Sequence, residues 1–152
     1  MLKAGDAAPD FEILDDQGRS FKLSDLKGKN VVLYFYPKAD TPGCTKEACE
    51  FRDTAKQFAR RNTAVVGVSP DQPTAQAKFK SKYDLTFPLL ADAEHTVAEK
   101  YGVWQEKNNY GKKYMGVVRT TFIIGPDGKI AHVFEKVKPE GHAEQVLAAL
   151  PK

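Results

Sequence analysis

Three features of the sequence predict an α/β fold with a mixed central sheet, helices on both of its faces and a small N-terminal β-hairpin. First, residues 31–36 (Val-Val-Leu-Tyr-Phe-Tyr) are apolar at every position, as expected of a strand buried on both faces in the middle of a parallel sheet. Second, a helical stretch and another apolar run at residues 64–69 follow, and strand, helix, strand makes a right-handed crossover. Third, residues 116–124 and 129–136 read as strands joined by Gly125-Pro126-Asp127-Gly128, a strong turn sequence. With 152 residues and no internal repeat, low-complexity tract or linker-like break, the chain is expected to form a single domain, 1–152.

The elements follow in order. Residues 11–14 and 20–23 flank Asp16-Gln17-Gly18 and predict the N-terminal hairpin. Pro37 ends the buried strand, and a helix is predicted from about residue 42 to 61. Residues 74–83 and 96–101 read as helices, with Pro88-Leu89-Leu90 a short strand between them. Residues 141–150 close the chain as a helix with apolar positions at Val146, Leu147 and Leu150. This order suits the thioredoxin fold and also other α/β folds.

Composition excludes several function classes. A net charge of +3, with basic residues interspersed among acidic ones, leaves no nucleic-acid footprint. The Lys-rich residues 78–82 and 112–113 read as solvated surface. The longest apolar run is far too short to span a bilayer, so no membrane association is expected. The first residues carry no apolar signal region, although a processed chain would begin the same way. The expected compartment is the cytoplasm, where thiols stay reduced and disulfides tend to be catalytic. Two cysteines cannot build a disulfide framework or a Cys-based zinc site, and His95, His132 and His142 lack ligand spacing. No metal is expected.

The chemistry is expected just beyond the most buried strand, since ligands gather at the carboxyl ends of parallel strands. There Thr41 or Asp40 can cap a helix, Pro42 suits its first position, and Cys44 falls in the first turn. The backbone N–H groups of Gly43 and Cys44 lack helical partners, and the helix dipole adds positive potential, so a thiolate at Cys44 is stabilised. Gly43 leaves open space beside the sulfur. Cys44, Ala48, Phe51, Ala55 and Phe58 form one apolar stripe. Cys49 lies about 140° round the helix from Cys44, on the side of Arg52, Asp53, Lys56 and Arg60. Taken singly, each feature has a bland explanation: a core cysteine, an ordinary cap, a chance second cysteine. Their combination is harder to explain that way. Arg119 adds to it as a single charge among apolar and hydroxyl residues of a predicted strand. It must lie at a sheet edge, snorkel to water or pair with an anion.

These residues resemble the peroxiredoxins. Pro37, Thr41 and Cys44 match that family's signature of Pro, three residues, Thr, two residues, Cys, and Arg119 with Thr120, Thr121 and Phe122 is similar to its distant Arg-Thr-Thr-Phe run. The spacing of Cys44 and Cys49 is similar to the bacterioferritin comigratory protein, or peroxiredoxin Q, branch, and the likeness runs from Gly5 to Gly128. The resemblance implies a thioredoxin-like fold, no prosthetic group, a hydroperoxide substrate and thioredoxin or a similar dithiol as reductant. Cys44 would attack the peroxide and become a sulfenic acid, and Cys49 would close a disulfide with it. Stabilising the thiolate supplies at most ~2 kcal/mol after its lost nucleophilicity, against the ~8 kcal/mol or more of a typical enzyme. Arg119, the Thr41 hydroxyl and the free N–H groups would therefore stabilise the transition state, with Pro37 shaping the pocket. Glu47 either orients Arg119 or simply sits where acids are favoured. The tail, Ala148-Ala149-Leu150-Pro151-Lys152, has no cysteine, which argues against the obligate dimers that use one and favours a monomer. The Gly-Gly-Leu-Gly segment linked to easy over-oxidation is also missing. Two rivals stand beside this reading. A protein disulfide oxidoreductase would normally carry Cys-x-x-Cys, and a non-enzymatic binding domain would leave both thiols inert to peroxide.

Overall fold

The computed structural model describes residues 2–151. The predicted hairpin forms as β1 (Glu12–Asp15) and β2 (Ser20–Lys22), followed by a 3-10 turn, Leu23–Leu26. The buried run is β3 (Asn30–Phe35), and it leads into α1 (Pro42–Asp53) and α2 (Ala55–Arg60). Then come β4 (Thr63–Ser69), α3 (Pro73–Lys82), β5 (Leu89–Ala91) and α4 (Thr96–Lys100). The last elements are β6 (Trp104–Asn109), β7 (Lys112–Val117), β8 (Thr120–Ile124), β9 (Ile130–Phe134) and α5 (His142–Ala148).

Seven strands make one mixed sheet in the order β2-β1-β5-β4-β3-β8-β9. β3 runs parallel to β4, with Phe35 opposite Val68, and antiparallel to β8, with Phe35 opposite Thr120. The two faces of β3 explain why its sequence is apolar throughout. Val32, Tyr34 and Tyr36 pack with Cys44, Ala48 and Phe51 of α1, Phe58 of α2, Phe79 of α3 and Val146 of α5. Val31, Leu33 and Phe35 pack on the other face with Val97 and Ala98 of α4, Tyr101 and Leu23. The α/β mixed sheet with helices on both faces is the predicted architecture.

The structure departs from the local expectations in four places. The helix predicted from 42 to 61 is interrupted at Thr54 (φ −100°, ψ 1°), whose hydroxyl donates to the Glu50 carbonyl at 2.6 Å in competition with the backbone ladder. Residues 116–124 are not one strand: the backbone breaks at Val118 and Arg119 between β7 and β8. The β6–β7 ribbon was not foreseen, because Trp104–Asn109 carries few apolar residues. Its turn, Tyr110-Gly111, has positive φ at both positions (52° and 79°), the twist that matches a two-residue hairpin. Lys78 and Lys82 are exposed, but Lys80 is half-buried and pairs with the buried Asp16 at 3.3 Å.

Candidate active site

β3 delivers the chain to the site and Pro37, which has no N–H to donate, follows its last ladder bond, Tyr36 N–H to the Val68 carbonyl at 3.0 Å. A buried polar network then fixes the loop. Asp71 accepts from the Ala39 N–H at 2.8 Å and from the Ser69 hydroxyl at 2.6 Å. Gln76 donates to Ser69 Oγ and to the Leu90 carbonyl, both at 2.8 Å, and accepts from the Tyr36 hydroxyl at 2.6 Å. Sequence reasoning missed this network. Its one available signal was an amide, Gln76, on the buried side of α3.

Thr41 stands at the N-cap of α1 and Pro42 at its first position. The capping expectation fails in detail. The Thr41 hydroxyl makes no cap bond and donates instead to the Lys38 carbonyl at 2.9 Å, which keeps its lone pairs free to accept. Asp40 does not cap either: its carboxylate accepts from the Tyr83 hydroxyl at 2.7 Å and from Lys82 at 2.9 Å. Those donors, Tyr83 first, hold its carboxyl below the usual range. The first helical bond is Thr45 N–H to the Thr41 carbonyl at 2.8 Å, so the N–H groups of Gly43 and Cys44 lie outside the ladder.

Cys44 is 1% exposed, and Arg119 Nη2 donates to its sulfur at 3.2 Å. Arg119 Nη1 donates to Glu47 Oε1 at 2.6 Å. One edge of the guanidinium therefore bridges two side chains that share the inner face of α1. Arg119 is not at a sheet edge: it immediately precedes β8, which lies between β3 and β9. Of the three explanations open for a charge there, pairing with an anion is the one observed. Burial disfavours its charge, but Glu47 and Cys44 outweigh that and hold the guanidinium above its ordinary value. Gly43 does not leave open space beside the sulfur. A Cβ there would stand 3.3 Å from Arg119 Nη2 and 3.5 Å from Pro139 Cγ, so glycine is what admits the guanidinium.

Glu47 is buried, and its second carboxylate oxygen, Oε2, has no hydrogen-bond partner among the described residues. Burial pushes its carboxyl up to about 7, against the opposing pull of Arg119. Cys49 is half-buried and Cys44 buried, and both are free thiols on the unbroken α1. Beyond the β3–α1 junction, Lys107 of β6 crosses above Gly116 to donate to the Val117 carbonyl at 2.9 Å, two residues before Arg119. Pro37 is half-buried at the loop entrance. The structure thus brings together Cys44, Glu47 and Arg119, and sets Thr41 one turn before Cys44.

Residues 4–133 match the model of the AhpC/TSA family. The chain belongs to that family. Its relatives narrow the placement further. It is 50% identical over 149 residues to a peroxiredoxin bcp of Coxiella burnetii, covering 98% of this chain and 99% of the relative. With peroxiredoxin Bcp of Bacillus subtilis the identity is 48% over 149 residues, covering 98% and 95%. Among solved structures, Xanthomonas campestris peroxiredoxin Q superposes with a TM-score of 0.91 at 35% identity over 97% of each chain. BcpB of Mycobacterium tuberculosis does so with 0.87 at 45% identity, over 98% of this chain and 96% of that one. The fold is thioredoxin-like, and the protein is a peroxiredoxin of the Bcp/peroxiredoxin Q group. No helix among the described residues of this peroxiredoxin is long and apolar enough to cross a membrane.

Proposed function

We propose that this peroxiredoxin reduces hydrogen peroxide and organic hydroperoxides through Cys44. The observation that carries the proposal is the buried Cys44 sulfur at a helix N-terminus, with an arginine N–H donating to it at 3.2 Å. The thiolate attacks one peroxide oxygen, the O–O bond breaks, and Cys44 becomes a sulfenic acid while water or an alcohol leaves. Arg119, the lone pairs and hydroxyl of Thr41, and the unladdered N–H groups of Gly43 and Cys44 surround the space where charge moves between the two oxygens. Pro37 shapes the loop that closes this space. One relative, the bacterioferritin comigratory protein of Xanthomonas campestris, is described for its alkyl peroxide reduction activity, which supports the organic part of the substrate range.

Cys49 then supplies the second sulfur. On an intact α1 its Cα stands about 8.6 Å from that of Cys44, whereas a disulfide needs about 4.4–6.8 Å. The first two turns of α1 therefore unwind before Cys44–Cys49 closes, with loss of water. Thioredoxin or a similar dithiol reduces the disulfide, which the unwinding leaves exposed. We place this cycle in the cytoplasm, where both thiols return to the reduced state, and in a monomer in which residues 1–152 act as one domain, since both sulfurs lie on one helix.

The test is intact mass after one equivalent of hydrogen peroxide. The parent should lose two hydrogens, Cys44→Ser should consume no peroxide, and Cys49→Ser should turn over once and accumulate sulfenic or sulfinic acid. Rapid peroxide reduction by Cys44→Ser would refute the assignment.

A further inference from the structure

The buried cluster holds two acids and one permanent cation. Cys44 and Glu47 are each 1% exposed, and the Arg119 side chain between them is 15% exposed. Were both acids ionised, the cluster would carry one uncompensated negative charge away from water, an arrangement that strongly favours retention of one proton. That proton has two places to sit. Arg119 Nη1 reaches Glu47 and Nη2 reaches Cys44, so the same guanidinium supports either anion. Glu47 Oε2, buried and without a partner, is an open position for it. The reaction itself requires such a proton: the oxygen expelled from the peroxide departs as hydroxide or alkoxide unless it is protonated, and Cys44 as a thiolate has none to give.

We propose that Glu47 is the proton carrier of this peroxiredoxin, taking the proton of the Cys44 thiol and delivering it to the leaving oxygen. The inference rests on Cys44 as the nucleophile. In the first step the Glu47 carboxylate accepts the thiol proton, giving Cys44 thiolate and a neutral carboxylic acid. The thiolate sulfur then bonds to the terminal peroxide oxygen, which keeps its own hydrogen, as the O–O electron pair moves onto the other oxygen. That oxygen takes the Glu47 proton and leaves as water or alcohol. Cys44 is oxidised to the sulfenic acid, the peroxide is reduced, and Glu47 ends as a carboxylate. Burial, which raises its carboxyl to about 7, suits the group to give and take a proton near neutrality. The other titratable groups around the cluster are Glu50 on α1, Tyr34 on β3, Tyr36 just after it, Lys107 on β6 and His142 on α5. Burial holds His142 below its ordinary range, and its ring nitrogens are engaged by Thr121 at 2.7 Å and Gln145 at 3.1 Å. Lys107 is held by the Val117 carbonyl. Glu47 is the acid among them in direct contact with Arg119.

A residue that only aims Arg119 would affect every peroxide alike. The delivered proton matters only when the leaving group needs one, and a neutral residue at position 47 leaves the Arg119 charge to Cys44 alone, so the thiolate forms without the carrier. Glu47→Gln keeps an oxygen for Arg119 Nη1 but cannot carry the proton. It should lose about 100-fold or more in the rate with hydrogen peroxide and tert-butyl hydroperoxide, and no more than about threefold with peracetic acid, whose leaving group is a stable carboxylate. Equal losses with all three, or no loss with hydrogen peroxide, would overturn the proposal. The folded parent gives a second test independent of the variant. A shared proton makes the thiolate ultraviolet absorbance of the reduced enzyme appear in two steps as pH rises, one step for each macroscopic ionisation, and Glu47→Gln should reduce them to one. A single step in the parent overturns it as well. Failure of the Cys44 assignment would register separately, as peroxide consumption by Cys44→Ser.

Discussion

Gly43→Ala separates the two events that the proposed cycle asks of α1, attack by Cys44 and release of Cys44. Gly43 is the second residue of the helix and has no positive φ, so alanine fits its backbone. Replacing glycine by alanine at such a position favours the ordered helix by about 0.4–1 kcal/mol, a factor of roughly two to five in the opening equilibrium. The added Cβ would meet Arg119 Nη2 at 3.3 Å and Pro139 Cγ at 3.5 Å, so the guanidinium must give by a few tenths of an ångström. Displacement of a charge-bearing donor by that amount should slow peroxide attack by roughly threefold to tenfold. Stopped-flow kinetics reads the two effects apart. Sulfenic acid formation is second order and depends on peroxide concentration. Disulfide closure is first order and does not, so it reports helix opening alone and should slow by about two- to fivefold. Hydrogen exchange should show residues 45–51 protected in the reduced form and unprotected in the disulfide form. Unchanged closure kinetics in Gly43→Ala, together with equal protection in the two redox forms, would refute the requirement for unwinding.

Other substitutions test the remaining parts. Arg119→Lys keeps the charge but replaces a planar edge that bridges Cys44 and Glu47 by a single point; its peroxide reaction should fall by about 100-fold, and parent-like rates at pH 7 would contradict the bridging role. Thr41→Val removes both the hydrogen bond to the Lys38 carbonyl and the free lone pairs, and should lose roughly tenfold or more in peroxide rate, while Thr41→Ser should stay near the parent. Glu47 also makes stability pH-dependent. Because its carboxyl is raised from 4.5 to about 7 in the fold, the folded state holds this proton more tightly than the unfolded chain. Its contribution is intact below 4.5 and is lost as pH rises through about 7. Glu47→Gln should therefore gain in stability relative to the parent between pH 4.5 and about pH 8 in denaturant titrations; a constant difference would count against the buried ionisation.

The parts of this architecture carried by apolar runs were legible before the fold was known. β3 and β4 announce themselves because burial on both faces makes the middle of each strand apolar, with polar residues only at the ends. The β6–β7 ribbon was invisible for the opposite reason: Lys112, Lys113 and Tyr114 are exposed, and nothing in their pattern demands a sheet. The break at Arg119 hides between two segments that are each good strands, and only pairing with Glu47 and Cys44 shows why the chain departs from the ladder there. Cys44 and Arg119 could be singled out because a nucleophile at a helix start and a charge in an apolar run are unusual. Glu47 stayed ambiguous, since an acid near the start of a helix is ordinary; it lies beyond the first turn of α1, and its burial and its orphaned oxygen are tertiary facts. The Asp71–Ser69–Gln76–Tyr36 network consists of residue types that are unremarkable singly, and their convergence depends on β4, α3 and β3 meeting.

That network also bears on how one short segment can serve as a precise site and, in the proposed cycle, open. On the upstream side, the loop from Pro37 to Thr41 is tied to buried polar groups through the Ala39 N–H and to the end of α3 through Asp40. Arg52, beyond Cys49, donates to the Tyr83 carbonyl at 2.7 Å, and Thr54 then closes the helix on Glu50. The stretch between these two tethers contains both cysteines. Within it, Cys44 and Glu47 are held chiefly by Arg119, and the apolar anchors are Ala48 and Phe51. In the proposed cycle, oxidation of Cys44 to a neutral sulfenic acid removes the charged partner of Arg119 Nη2 while Glu47 keeps Nη1, so the hold on Cys44 itself weakens when Cys44 must leave. Phe51, stacked on Tyr34 at 4.7 Å between ring centroids, lies beyond Cys49 and can stay in place. The proposed opening is thereby confined to the turns that the disulfide needs, while the loop and the end of α1 from Arg52 remain tethered to receive Cys44 when the reductant restores it.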